Sequence, residues 1–236
     1  MRGKSTKGRK QKEPVGMNPS EIFNALTVLE KVILRDRNRP SVAFWLSFNE
    51  CEFNEQFLRD AIAVARACDP TRLISGANCN DTHETKRVFD ACGVDFYTLH
   101  PYGTAPDHCN GGTLEEACRV LSGKPVIFTE WGGYYVVDNP HLFTDFFDTM
   151  VRLHRNKEPE PVLAGMSYWQ WQDICEYQRG LPACKDGVLT EGLVTMDRTP
   201  KQCFYTFQDL LRTYRNPVPQ PEYELQIGRA SCRERV

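Results

Sequence analysis

Lys124-Pro125-Val126-Ile127-Phe128-Thr129-Glu130-Trp131-Gly132-Gly133 is the stretch whose reading decides the fold. Its apolar run has the length and composition of a buried parallel strand, and it stops abruptly at a carboxylate followed by Trp and two Gly. An acid at the carboxyl end of such a strand lies on the face where barrel enzymes build their sites. Eighty residues earlier, Pro40-Ser41-Val42-Ala43-Phe44-Trp45-Leu46-Ser47-Phe48-Asn49-Glu50 has the same form. Read singly, Glu50 and Glu130 are as well explained as solvated acids at strand ends. Read together, each following a buried-looking strand and adjoining aromatics, they suggest a carboxylate pair.

Working outward, helical and extended patterns alternate. Apolar spacing predicts a helix from Asn18 or Ser20 to about Arg35, and then the strand that ends before Asn49 and Glu50. A helix over 52–68 follows, then a strand over 73–77 and a helix to about Ala91. A strand over 94–99 runs into His100-Pro101-Tyr102, and a helix near 113–121 leads to the strand at 125–130. Asn139 or Pro140 opens a helix to about His154. The last strand is expected over 162–171, then a long loop over 172–192 and a final helix over 201–212. Five strands each followed by a helix require an α/β fold with a parallel sheet and right-handed crossovers. Pattern alone leaves an open sheet and a barrel equally available. No Gly-rich phosphate loop follows a strand, which argues against a nucleotide site.

The chain of 236 residues can bury one sizeable core. Residues 1–16 are polar and basic and read as a disordered tail, with a nucleic-acid or nuclear-targeting patch the weaker alternative. Residues 17–215 form the folded domain, and 216–236 a loosely packed tail. A net charge of -2 gives no general reason to expect nucleic acid or membrane binding. There is no apolar run of transmembrane length and no hydrophobic region suited to secretion after Met1, so the chain is expected to stay cytoplasmic if it is complete as written, or else to be a fragment. None of the ten cysteines falls in a CxxC pair, which argues against a zinc site. Cys175 and Cys184 flank a polar loop and suit a local disulfide if the protein is secreted.

The motifs carry a resemblance. Residues 39–50 resemble the strand-four motif of glycoside hydrolase family 2, which contains beta-galactosidases, beta-glucuronidases and beta-mannosidases. Residues 125–133 are similar to its strand-seven nucleophile motif, and 165–173, with Trp169 and Trp171, to its strand-eight segment. Gly192-Leu193-Val194, with Asp197-Arg198 and Pro200-Lys201, resembles its closing motif. The likeness covers roughly 24–214 and implies an incomplete (β/α)8 TIM barrel, strands four to eight with their helices. The first three strands and the family's preceding beta-sandwich domains would then lie outside the chain. Five strands leave two open edges, so self-association or a partner supplying the missing strands is expected.

By family position Glu50 would be the general acid/base and Glu130 the nucleophile of retaining hydrolysis on a terminal beta-linked sugar, with the carboxyls about 5 Å apart. Asn49 would bond the sugar 2-hydroxyl, His100 would line the sugar site, Tyr102 would orient Glu130, and Trp169 would form the sugar platform. Asn49, His100 and Tyr102 are also explicable as ordinary loop or core residues, and Trp131 and Trp171 divide between sugar contact and packing. Asp173, Glu176 and Asp186 stand at a substrate rim or a solvated one. No cofactor and no metal is assigned. Two other readings stay open. One is a catalytically incomplete fragment that binds carbohydrate or protein. The other is an endo-acting mannanase-like or cellulase-like enzyme, favoured by His100-Pro101-Tyr102 and disfavoured by the segment 197–201.

Overall fold

The computed structural model describes residues 18–50, 55–77, 82–106, 112–156, 163–175 and 184–214. Both terminal tails and Glu176 lie outside them. Helix α1 (Pro19–Asp36) starts where local chemistry directs: the Asn18 side chain accepts from the Ser20 and Glu21 amides, Glu21 reaches back to the Asn18 amide, and Pro19 occupies the first turn. The alternation then runs β1 (Phe44–Asn49), α2 (Glu55–Cys68), β2 (Leu73–Ala77), α3 (Thr82–Cys92), β3 (Tyr97–Leu99), α4 (Leu114–Val120), β4 (Val126–Phe128), α5 (Pro140–Arg155), β5 (Leu163–Met166) and, after a long connection, α6 (Gln202–Tyr214). Thr113 caps α4 and Asn139 caps α5 through their side-chain oxygens.

All pairings among these five strands are parallel. β1 pairs with β2, aligning Phe44 with Leu73 and Asn49 with Ala77, while β3, β4 and β5 form a second ladder. Between β2 and β3, side chains take over from the ladder. Asp95 donates its amide to the Ile74 carbonyl and accepts the Ile74 amide on its carboxylate, and Ser75 Oγ donates to the Phe96 carbonyl at 2.7 Å. Thr98 Oγ1 donates to the Gly76 carbonyl. Asp95 and Phe96 are thereby drawn out of the regular strand expected from residue 94. The strands lie side by side in chain order with β1 and β5 at the edges, and Leu46 of β1 is exposed, as are Phe23, Val28 and Leu34 of α1.

The core fills the space between sheet and helices, and its centre is the residue after Glu130. Trp131 is wholly buried and meets Phe143, Phe146, Tyr168 and Phe207 edge-on or stacked, at centroid distances of 5.1, 6.3, 5.2 and 6.3 Å. It is a packing residue. Trp171 is exposed and packs edge-on against Phe204, beside a cleft of about 460 Å³ lined also by Leu193, Phe207 and Leu211. That cleft contains none of the strand-end acids.

A buried ion pair ties the end of α2 to the entry of β1. Asp69 accepts from Thr71 Oγ1 at 2.6 Å, Trp45 Nε1 at 2.9 Å and Arg72 Nη1 at 2.7 Å, while Arg72 also donates to the Val42 and Arg39 carbonyls. The Thr71 hydroxyl above all, then Trp45 and Arg72, hold the Asp69 carboxyl far below the usual carboxylate range despite its burial. A depressed carboxylate stabilises the fold above its unfolded pKa and loses that contribution as pH falls. Asp69→Ala strands Arg72 in a half-dry site, so denaturant unfolding at pH 7 is expected to show a loss of about 3–5 kcal/mol. The difference from wild type should shrink in acid, and a loss independent of pH would contradict the role given to the charge.

The 172–192 segment, expected as a loop, holds a small antiparallel sheet in the order β6 (Ile174–Cys175), β8 (Val188–Leu189), β7 (Cys184–Lys185). This overturns the local disulfide. Cys175 pairs with Val188 and Cys184 with Leu189, on opposite sides of β8, and both are free thiols. Two strand spacings are roughly 9–10 Å, beyond the reach of a disulfide without backbone movement.

Candidate active site

Because the strands are parallel, their carboxyl ends share one face, and the sequence places Asn49, Glu50, His100, Glu130 and Trp169 just there. Glu50 follows β1 and adopts φ +46°, in the left-handed region that non-glycine residues seldom enter. Its amide donates to the Ala77 carbonyl at 2.9 Å. Beneath this turn the tip of the Phe48 ring abuts Gly76, where an added Cβ would sit 2.0 Å from Cζ, so β2 needs glycine for β1 to approach. Asn49 is exposed at the strand end, paired in register with Ala77.

His100 joins the two acids. Its ring is wholly buried. Nδ1 lies 2.5 Å from Glu50 Oε1 and 3.3 Å from Glu130 Oε2, and Nε2 lies 2.9 Å from Thr129 Oγ1. One donor atom from each of Glu50, His100 and Glu130 falls within 4.8 Å of the others. The imidazole faces the carboxylates and is closed to solvent. The three residues also form a cluster of metal-ligating type that no local spacing in the sequence marks, since three separate strands supply it.

Tyr102 donates its hydroxyl to Glu130 Oε2 at 2.6 Å. Burial pushes Glu130 above the ordinary carboxylate range and the charge of Glu50 adds to the rise, while the Tyr102 hydroxyl and His100 pull it back. Burial, reinforced by the Glu130 carboxylate, keeps the Tyr102 phenol protonated and so a permanent donor. Of the two acids Glu130 is the more enclosed, its side chain 14% exposed against 36% for Glu50.

After Trp131 the chain turns through Gly132 at φ +96°. There Gly132 bridges Trp169, whose amide donates to the Trp131 carbonyl at 3.0 Å. Trp169 is half-buried, and its indole Nε1 donates to Glu191 Oε2 at 2.9 Å, which sets the plane of the ring. Glu191 is a buried acid that motif reading passed over. It lies in the closing segment, and only the neighbouring Gly192-Leu193-Val194 carries a pattern. Thr129 was likewise missed, its hydroxyl being visible only as one more residue of the strand motif. Asp173 is buried rather than at a rim, accepting from Lys201 Nζ and the Gly192 amide, both at 2.8 Å. Asp186 sits in the hairpin turn between β7 and β8 at φ +52°.

A family model described as the TIM barrel domain of glycosyl hydrolases family 2 matches residues 4–216. The chain belongs to this family. Among curated relatives, a beta-glucuronidase of Pongo abelii is 23% identical over 242 residues, covering 94% of this chain and 36% of its own. A beta-glucuronidase of Paenibacillus borealis is 27% identical over 209 residues, covering 80% of this chain and 34% of its own. The chain thus spans about a third of the length of these relatives. The crystal structure of a GH2 beta-galacturonidase from Eisenbergiella tayi superposes with a TM-score of 0.65 at 19% identity, over 83% of this chain and 37% of that one. The fold is accordingly a partial (β/α)8 barrel.

Proposed function

We propose that this family 2 barrel carries the catalytic pair of a retaining beta-glycosidase acting on a terminal sugar, with Glu130 as nucleophile and Glu50 as general acid/base. The observation that carries the reading is the approach of the two carboxylates, within 4.8 Å across two strand ends eighty residues apart. Retaining enzymes hold their carboxyls about 5–5.5 Å apart, and inverting enzymes leave about 6.5–9.5 Å for a water molecule.

In the first step Glu130 bonds to the anomeric carbon as the glycosidic bond breaks, and Glu50 gives its proton to the departing oxygen. In the second, Glu50 takes a proton from water, the water oxygen bonds to the anomeric carbon, and the ester to Glu130 breaks. Tyr102 orients Glu130 through the hydrogen bond from its hydroxyl to Oε2. His100, in contact with both acids, is placed to compensate the charge that shifts between them. Asn49 is assigned to the 2-hydroxyl and Trp169 to the apolar sugar face, its ring fixed by Glu191. The names of the relatives make glucuronides the first substrates to try, with galactosides, mannosides and glucosides beside them.

The test is incubation of the purified chain with a 2-deoxy-2-fluoro glycosyl fluoride of each sugar, followed by mass spectrometry of the peptides. A single adduct on Glu130 is expected. Turnover of aryl glycosides with no adduct on Glu130 would overturn the assignment, and no turnover and no adduct with any sugar would favour a binding module instead. Tyr102→Phe supplies a further check. Removing the hydroxyl takes away an interaction that favours ionised Glu130, so the acid limb of the kcat/KM profile is expected to move to higher pH. An unmoved limb would remove Tyr102 from the role.

A further inference from the structure

The geometry points to a second capability of this cluster: Glu50, His100 and Glu130 form a binding site for a first-row transition-metal dication such as Zn²⁺, which would exclude the sugar while bound. The argument needs only the three side chains and is independent of the proposed glycosidase chemistry.

One donor from each residue already lies within 4.8 Å of the other two. Bonds to zinc of about 2.0–2.2 Å place tetrahedral ligands roughly 3.3–3.5 Å apart. His100 Nδ1 and Glu130 Oε2 have that separation, at 3.3 Å. The His100–Glu50 pair, at 2.5 Å, must open by roughly 1 Å, and Glu50 is the more exposed acid and so the freer to move. An ion would enter from its side and keep a fourth position for water.

Two features favour a metal over an accidental gathering of acids. The imidazole is wholly buried and its second nitrogen lies 2.9 Å from Thr129 Oγ1, a hydroxyl able to accept from it and so to orient the ring, as outer partners do for metal-binding histidines. With Nε2–H donating to that hydroxyl, Nδ1 presents its lone pair to the ion. The two carboxylates also balance a dication and relieve the burial of charge at Glu130. One imidazole and two carboxylates suit Zn²⁺, Cu²⁺ or Co²⁺, whereas Mg²⁺ prefers oxygen ligands alone.

The experiment is a Zn²⁺ titration of the full chain against a chromogenic chelator, without sugar, with the Co²⁺ absorption spectrum as a ligand probe. One ion per chain is expected. Glu50→Gln and Glu130→Gln should each lower the affinity more than tenfold, and Thr129→Val by about 10–100-fold, in proteins whose melting shows them folded. Unchanged affinity in both Gln variants would overturn the site. A Co²⁺ spectrum carrying a thiolate charge-transfer band would assign the ion to cysteines and overturn it equally, as would displacement of Zn²⁺ by equimolar Mg²⁺.

Discussion

Glu130→Gln is expected to lose glycoside turnover by on the order of 10⁴-fold or more, and at the same time to melt at a higher temperature than wild type at pH 7. The first effect follows from the proposed role: an amide at this position cannot attack the anomeric carbon. The second follows from burial. Glu130 is a carboxylate whose protonated form is favoured by the fold, chiefly because its charge is desolvated and next to Glu50. A raised carboxyl contributes stability that is fully present below its unfolded pKa, about 4.3 for Glu, and is lost as pH rises through the folded value. The amide is neutral at every pH and escapes that loss, so its advantage should be present at pH 7 and absent near pH 4. The Tyr102 hydroxyl keeps an acceptor in the amide oxygen. Turnover equal to wild type would dismiss Glu130 as nucleophile. A gain in melting temperature of the same size at both pH values would dismiss the electrostatic explanation while leaving the chemistry untouched.

The combination is what a catalytic cluster should display, because geometry held for chemistry costs the fold something. Glu50 adds to this with its left-handed backbone, which the hydrogen bond from the Glu50 amide to the Ala77 carbonyl and the contact with His100 hold in place. Neither the φ of Glu50 nor the burial of Glu130 is written in the local pattern. Both arise because parallel strands deliver side chains from distant segments to one rim.

That distinction separates what was legible in the sequence from what was not. Apolar runs ending in acids announced β1 and β4 because a strand that packs on the core must change character where it meets solvent at its end, and Asn18, Thr113 and Asn139 marked helix starts through chemistry contained within one turn. The strand expected over 94–99 is shorter because Asp95 spends its carboxylate and its amide on Ile74, a contact made across β2 that no window along the chain contains. β6, β7 and β8 escaped notice because two-residue strands carry too few residues for alternation to register. Glu191 escaped for the opposite reason: an acid beside Gly192 in a polar segment looks solvated, and only the fold brings it under the Trp169 indole. The pairing of Glu50 with Glu130 was readable from their matching positions at strand ends. The insertion of His100 between them was not, since an imidazole after a buried strand is equally at home as a packed core residue.

Glu50 is best separated from Glu130 by the leaving group. A carboxylic acid that protonates the departing oxygen matters most when that oxygen is basic, so Glu50→Ala is expected to slow hydrolysis of alkyl and disaccharide glycosides by about 10²–10⁴-fold. Dinitrophenyl glycosides, whose phenolate departs without help, should still glycosylate Glu130 at close to the wild-type rate. The missing base then makes the glycosyl-enzyme accumulate, visible as a burst of phenolate followed by slow turnover. Azide needs no base, fits the space vacated by the side chain, and should restore steady-state turnover with release of a glycosyl azide of retained beta configuration. Glu50→Gly offers the same space with a backbone suited to φ +46°, and should be more stable than the Ala variant by about 1–2 kcal/mol with the same rescue. A slowing that is equal for every leaving group, with no azide product, would mean that the residue holds His100 in position and moves no proton; a burst that azide relieves in both variants fixes the proton on Glu50.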